Sequence, residues 1–346
     1  MDDIDRRLLD ALQEAIPLVR TPWAEVGSSL GLAEGEVLSR LVRLVDERRV
    51  SFLGPIYDAR ALGYRTTLAA LDVDAGHLEE VAAVVGSYPG VSHCYEREGR
   101  PSLWFTLAVP PGTTLASVVR AVARHAGVRG AMLLPELRRY KLRVRFQLGP
   151  ERTSLHEDPG SPRPSRSVPL DGDDRKAVRL LGDGLPLSSD PFLALAGSEG
   201  EAEWLLARLE KHVRSGLARR VAALVRHGRV GYRANVMAVW DATRARADEA
   251  GPILAQEGAV SHCYLRRTTP GWPHSLYAMI HGRSEDEVEA VARRLASSAS
   301  LPSPLLLRSL REFKKERLRF FTDDYDRWHP EGVAPSATVD ERESTS

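Results

Sequence analysis

The segment Val-Ser-His-Cys-Tyr stands twice in this chain of 346 residues, at 91–95 and again at 260–264, and it holds both cysteines. A duplication of this kind restricts the fold to one that can be built twice from a single unit. Other pairs agree in order: Asp5-Arg6 with Asp174-Arg175, Ile16-Pro17-Leu18 with Leu185-Pro186-Leu187, and Gly63-Tyr64-Arg65 with Gly231-Tyr232-Arg233. Leu137-Arg138 through Lys141 matches Leu310-Arg311 through Lys314. The offset is 168–169 residues for the first of these and 173 for the last, as small loop insertions would produce.

Each half reads as two parts. In the first, Ile4, Leu8, Leu9 and Leu12 have helical spacing. Thr21-Pro22 opens a second helix with Pro at its first position. Gly31 turns the chain, and Val37, Leu38, Leu41, Leu44 and Val45 mark a third helix over 34–47. Three short helices with a glycine turn predict a helix-turn-helix head over 1–60. Then 65–73 alternates as a strand, 77–87 is an amphipathic helix, and 93–97 and 103–109 are strands. A helix at 115–125 and a closing strand within 130–145 complete βαββαβ over 61–147. The second half repeats this as a head at 173–228 and a sandwich at 229–328. The predicted class is α+β, a tandem duplication of a helix-turn-helix head plus a ferredoxin-like βαββαβ sandwich. A Pro/Ser/Gly/Arg-rich stretch at 148–172 reads as a linker, and the polar tail at 329–346 as disordered.

Composition narrows the class. No apolar run approaches the length that crosses a bilayer, and the opening Met-Asp-Asp-Ile-Asp-Arg-Arg lacks the apolar core of a signal peptide. A cytoplasmic location is expected. Net charge is +1, which announces no nucleic-acid footprint. Of 48 basic residues five are Lys and the rest Arg, the side chain suited to bidentate binding of carboxylates, although Arg-biased composition is the plainer account of the excess.

The duplicated segment carries the chemistry. Alternate residues of a strand share a face, so His93, Tyr95 and Arg97 would point together, as would His262, Tyr264 and Arg266, in a row about 13 Å long. Cys94 and Cys263 would face the other way, as small core residues rather than disulfide or zinc ligands. His281 stands in the following strand of the second half, where the first half has Ala108-Val109. Each of these histidines is either a proton donor or a packed strand residue. Tyr64, Tyr232, Tyr95 and Tyr264 either stack on a flat ligand or pack the sheet. Arg65, Arg233, Arg97 and Arg266 are candidate carboxylate clamps. His77, His125, His156, His212, His227 and His329 fall on helices, linker or tail.

A winged-helix-like head before βαββαβ resembles the leucine-responsive/AsnC regulators. Val-Ser-His-Cys-Tyr, Gly-Tyr-Arg-Ala-Asn at 231–235, Trp272-Pro273 before Leu276-Tyr277, and Met279-Ile280-His281-Gly282 resemble a metabolic offshoot, the siroheme decarboxylases, in their fused two-unit form. That resemblance implies loss of two ring acetate carboxyls from siroheme, giving didecarboxysiroheme in haem d1 biosynthesis. It implies His262, His281 and His93 as catalytic, with His262 or His281 as an axial ligand to the siroheme iron. Tyr264, Arg266, Tyr232, Arg233, Trp272, Tyr277, Tyr95, Arg97, Tyr64 and Arg65 would bind substrate. No cofactor beyond the substrate's iron, no protein-held metal and no membrane are expected. Partners would be siroheme and other haem d1 biosynthesis proteins, with an internal pseudo-dimer and room for a homodimer. Two other readings stay open: a DNA-binding regulator that senses a small ligand, and a tetrapyrrole carrier. Helix 34–47 carries Glu34, Glu36, Asp46 and Glu47 beside Arg40 and Arg43, which disfavours DNA.

Overall fold

The computed structural model describes residues 1–142, 168–225 and 234–330. The first half runs α1 (Asp3–Glu14), α2 (Pro22–Leu30), α3 (Glu34–Asp46), β1 (Val50–Tyr57), β2 (Arg65–Val73), α4 (Leu78–Ser87), β3 (Val91–Arg97), β4 (Leu103–Val109), α5 (Leu115–Val122), β5 (Val128–Leu134) and β6 (Glu136–Leu142). The second runs α6 (Gly172–Leu180), α7 (Pro191–Ala196), α8 (Glu199–Ser215), β7 (Ala218–Val225), β8 (Ala234–Trp240), α9 (Arg244–Gln256), β9 (Val260–Arg266), β10 (Leu276–Gly282), α10 (Glu285–Ser298) and β11 (Leu305–Lys315). Both heads and both ferredoxin-like sheets expected from the sequence are present. Most of the linker and the end of the tail lie outside the described residues.

Compactness does not follow the halves. One unit comprises Met1–Tyr64, Glu136–Leu306 and Arg319–Phe321, and the other Arg65–Pro135, Leu307–Leu318 and the segment beginning at Thr322. We call them unit one and unit two.

In unit one the two heads share a core in which Leu8, Leu12, Trp23 and Leu41 meet Phe192, Leu205 and Leu209. Gly31 ends α2 in the left-handed conformation (φ 72°), where a side chain would be strained. Strand β1, unforeseen because Gly54-Pro55 interrupts it, pairs antiparallel with β7 as a two-stranded ribbon. Such a ribbon has only edges, so a residue without an N–H is tolerated there.

Each head is also tied by one buried aspartate. Asp5 closes a capping box with Asp2, through an N–H···O bond of 2.8 Å and its reciprocal of 3.0 Å. It then accepts from Arg40 at 2.9 Å and from Arg43 at 2.7 and 2.8 Å. Asp174 repeats the box with Asp171 and binds Arg208, Lys211 and His212. The cations of the two would-be recognition helices α3 and α8 therefore serve intramolecular pairs.

The sheets hold the main departure from expectation. The stretch 130–145 was expected to close its own half's sheet; Pro135, which cannot donate to a ladder, divides it into two strands instead. Strand β5 pairs with β2 at home, while β6 pairs antiparallel with β9 of the second half. In exchange, β11 pairs antiparallel with β3. Unit two thus orders its strands β5-β2-β4-β3-β11, and unit one β8-β10-β9-β6. One face of each sheet is closed by helices: Leu71, Phe105, Val81 and Val119 make the core of unit two, and Trp240, Ile280, Leu254 and Leu295 that of unit one.

Burial pushes the Asp5 carboxyl up, but Arg43, the capping bond to Asp2 and Arg40 outweigh it and hold it below its ordinary 3.8. Burial likewise opposes Lys211, the Asp171 cap and Arg208 at Asp174, and again the ionised form wins. A depressed carboxylate contributes stability that is present above the unfolded value and lost as pH falls through the folded one. Acid unfolding followed by circular dichroism should therefore begin below about pH 4. Asp5→Ala should cost on the order of 2 kcal/mol in urea unfolding at pH 7, since it removes several charge-assisted bonds at once.

Candidate active site

Period-2 alternation puts Cys263 and Leu265 of β9 in the helix-covered core and His262, Tyr264 and Arg266 on the opposite face of the sheet. The imidazole and phenol centroids of His262 and Tyr264 are 6.1 Å apart, and the Arg266 guanidinium carbon is 4.8 Å from the Tyr264 ring. Burial raises the Tyr264 pKa and lowers that of Arg266.

Strand β10 lies beside this row. Tyr277 is opposite Tyr264 and Met279 opposite His262, which puts His281, two residues on, on the same face. A register shift between Met279 and Ile280 marks a bulge in β9 at Ser261-His262. The bulge turns Ser261 out with His262, and its Oγ lies 2.7 Å from His262 Nδ1 and 2.7 Å from His281 Nε2. The two histidines are thereby joined through one hydroxyl.

On the other side of β9, Arg139 of the exchanged strand β6 stands opposite Tyr264, its guanidinium 5.8 Å from that ring. Glu136 holds it at 3.1 Å and also pairs with Arg60 at 3.1 Å. Tyr264 lies in the field of Arg139, Arg266 and Arg219, the last paired with Asp58 at 2.7 Å. Arg60, Arg139, Arg219 and Ser261 were not singled out from the sequence. Arg139 lies in the repeat segment 137–141, so a pairing register would have been needed to see it.

Unit two carries the same row with different surroundings. His93 and Tyr95 stack with centroids 6.3 Å apart, and the Arg97 guanidinium is 5.5 Å from the Tyr95 ring. A bulge at Ser92-His93 again turns out the serine, whose Oγ reaches His93 Nδ1 at 2.9 Å and Thr106 Oγ1 at 2.7 Å. Arg97 donates to Leu307 O at 2.9 Å and Ser309 Oγ at 3.1 Å, and its buried Nε has no hydrogen-bond partner among the described residues. Burial lowers Arg97 to about 10. The Tyr95 hydroxyl donates to Glu312 at 2.9 Å. Burial, helped by Lys315 and opposed by Glu312, pushes His93 down to about 4, so it is neutral at pH 7. Glu312 faces Tyr95 as Arg139 faces Tyr264, and 312 is the duplicate of 139 at the offset of 173. One position of the repeat has thus reversed its charge.

The remaining candidates are placed as follows. Trp272 and Tyr277 are buried, and the indole N–H donates to the phenol oxygen at 2.7 Å; burial raises Tyr277 to about 12. Tyr64 is buried edge-on between Phe320 and Phe321, and its hydroxyl accepts the Phe321 N–H at 2.7 Å, so it anchors the C-terminal segment. Arg65 is exposed at the start of β2 and donates to Thr113 O at 3.1 Å, outside the row. Tyr232 and Arg233 lie outside the described residues. Burial pushes the Cys263 thiol up to about 12 and raises Cys94 as well.

A thiol so placed is a core atom and a poor nucleophile. The native chain should leave both cysteines unmodified by a disulfide-exchange reagent over minutes, with full reaction on unfolding. Rapid labelling of native protein would contradict their placement.

Comparison with known proteins agrees with this architecture. A family described as an AsnC-like ligand binding domain matches residues 61–141 and 229–314, and one described as a siroheme decarboxylase NirDL-like HTH domain matches 5–50. The siroheme decarboxylase of Hydrogenobacter thermophilus is 36% identical over 338 residues, 95% of this chain and 98% of that protein. The siroheme decarboxylase NirDL subunit of Paracoccus denitrificans is 37% identical over 313 residues, 88% of this chain and 94% of that one. The crystal structure of the siroheme decarboxylase NirDL superposes with a TM-score of 0.75 at 34% identity, covering 94% of this chain and 97% of that one. The same enzyme in co-complex with an iron-uroporphyrin III analogue gives 0.74 with equal coverage. Among the described residues no helix is long and apolar enough to cross a membrane.

Proposed function

We propose that this chain, which belongs to the siroheme decarboxylase family, is a cytoplasmic carboxy-lyase that removes two ring acetate carboxyls from siroheme, giving didecarboxysiroheme for haem d1 biosynthesis. The observation that carries this reading is the single face of unit one on which two hydroxyl-linked histidines, a half-buried tyrosine and an arginine cluster stand in one row.

Decarboxylation leaves an electron pair on the ring methylene carbon. The conjugated iron macrocycle of the substrate spreads that charge, so no cofactor beyond the substrate's own iron is called for. A proton must then reach the carbon, and imidazole is the side chain best matched to deliver it near neutral pH. His262 and His281 are assigned this work, one donating to the carbon and the other resupplying it. Arg266 and Arg139 would clamp carboxylates that do not react, since a guanidinium fixes the plane of a carboxylate as well as its charge. Tyr264 would bear on the ring face between them. Trp272 and Tyr277, bonded to each other, would brace that wall.

Unit two is assigned a lesser part. Its arginine is engaged by strand β11, its tyrosine by Glu312, and Ala108 stands where unit one has His281. A polycarboxylate that met Glu312 where unit one offers Arg139 would be repelled.

The regulator reading is weakened by the ion pairs of α3 and α8, which occupy the cations that phosphates would need. The carrier reading shares the site and differs in outcome. Anaerobic incubation of the purified chain with siroheme, followed by mass spectrometry, separates them: loss of two carbon dioxide units without added cofactor is expected. An unchanged tetrapyrrole mass under reducing conditions would favour a carrier. His262→Ala and His281→Ala should each slow single-turnover decarboxylation by about 10²–10⁴-fold with siroheme still bound. His93→Ala should cost less, and a larger loss there would move the working site to unit two.

A further inference from the structure

Ser261 lies between the two histidines of unit one and is only 7% exposed. Its Oγ has three polar neighbours: His262 Nδ1 at 2.7 Å, His281 Nε2 at 2.7 Å and the Met279 carbonyl at 3.4 Å. A serine hydroxyl carries one proton and can accept two. It can donate to only one of these neighbours, so at least one imidazole must donate its N–H to Oγ. If the serine proton points to His262 Nδ1, then His281 Nε2–H is the donor, and the reverse holds equally. Either way His281 Nε2, Ser261 Oγ and His262 Nδ1 form a continuous hydrogen-bonded chain.

That chain depends on the bulge in β9, for regular alternation would send Ser261 toward the core. The same bulge places Ser92 against His93 in unit two, but there the hydroxyl meets Thr106 Oγ1. A threonine hydroxyl does not titrate near neutral pH, so the chain in unit two ends without a proton reservoir. Two imidazoles coupled through a hydroxyl occur in unit one, and the duplication supplies the unlinked version for comparison.

We propose that Ser261 is a positioning residue that relays a proton from His281 to His262 while His262 protonates the carbon freed by decarboxylation, an inference that rests on the reading above. As the bond to the carboxylate breaks, carbon dioxide leaves and the electron pair stays on the methylene carbon. The Nε2–H bond of neutral His262 breaks and a C–H bond forms, giving the methyl. Ser261 passes its proton to His262 Nδ1 and takes one from Nε2 of a His281 imidazolium. His281 ends neutral, Ser261 and His262 keep their proton counts, and the charge lost at His281 cancels the negative charge of the carbon. Before the second acetate reacts, water returns a proton to His262 Nε2, and the Nδ1 proton passes back through Ser261 to His281 Nε2, which restores the starting tautomers.

The full chain with Ser261→Ala and with Ser261→Thr tests the relay. Ser261→Ala should slow single-turnover decarboxylation by about 10–100-fold, and Ser261→Thr, which keeps the hydroxyl, should recover most of it. The solvent deuterium inventory of the wild-type rate should be curved, since more than one proton is in flight, and should become linear in Ser261→Ala. Nitrogen NMR of the histidine rings without substrate should show the tautomers of both His262 and His281 changed in Ser261→Ala and restored in Ser261→Thr. A Ser261→Ala enzyme with wild-type rate and curved inventory would overturn the relay, as would equal loss in both variants with unaltered ring nitrogens. Should the wild-type chain leave siroheme unchanged, the decarboxylase reading fails by itself, and the nitrogen spectra still decide whether the serine couples the two rings.

Discussion

The pairing of β6 with β9 is the contact on which the site of unit one depends. A sheet that ended at β9 would leave an open edge beside the His-Tyr-Arg row, with unpaired backbone groups where a ligand's carboxylates should meet cations. The exchanged strand closes that edge and brings Arg139 opposite Tyr264 and Glu136 opposite Arg266. Glu136 then holds Arg139 and Arg60 in place. Fixing a long side chain before a ligand arrives removes part of the entropy cost of binding. The strand therefore both completes a backbone ladder and preorganises the arginine cluster.

The exchange also explains how a duplicated chain could diverge without losing its fold. Each sheet has a face packed on helices, and there the halves stay alike: Cys94 and Cys263 are both buried, among aliphatic neighbours of similar kind. Close packing makes such positions costly to change. The opposite face has diverged further. There Tyr277 stands where the first half has Trp104, Met279 where it has Thr106, and His281 where it has Ala108. Because each unit takes its last strand from the other half, a change in β6 alters unit one and a change in β11 alters unit two. Arg139 and Glu312 are that freedom made visible at one repeat position.

Much of this was legible in the sequence. The repeat showed two heads and two sandwiches, and period-2 alternation placed the histidine, tyrosine and arginine together and the cysteines apart from them. The partner of each closing strand was not legible, because two copies of one unit offer near-identical edges and alternation is the same for either choice. Arg139 was missed with it. Ser261 was missed because strict alternation assigns it to the core; a bulge depends on the local ladder, and nothing in Val-Ser-His announces one. Tyr64 was open between stacking on a ligand and packing the sheet; Phe320 and Phe321, more than 250 residues away in sequence, enclose it instead.

The heads show how a DNA-binding shape can persist while its electrostatics turn inward. A recognition helix needs cations directed at phosphates. Here Arg40 and Arg43 fold back onto Asp5, and Arg208 and Lys211 onto Asp174, each aspartate being itself the third helical residue that closes a capping box. Removing the aspartate would free the arginines but would also take away the helix cap and leave a buried site to be refilled. Recovering a DNA-binding surface by single substitutions is thus opposed by stability at the first step. The two heads are held instead as a shared hydrophobic core, joined by the β1–β7 ribbon, on which Asp58 and Arg60 follow β1 and Arg219 stands in β7. Arg219 lies in the field of Tyr264 and Arg60 in that of Arg266, with Asp58 and Glu136 holding them, so the ribbon of the heads contributes charge to the row.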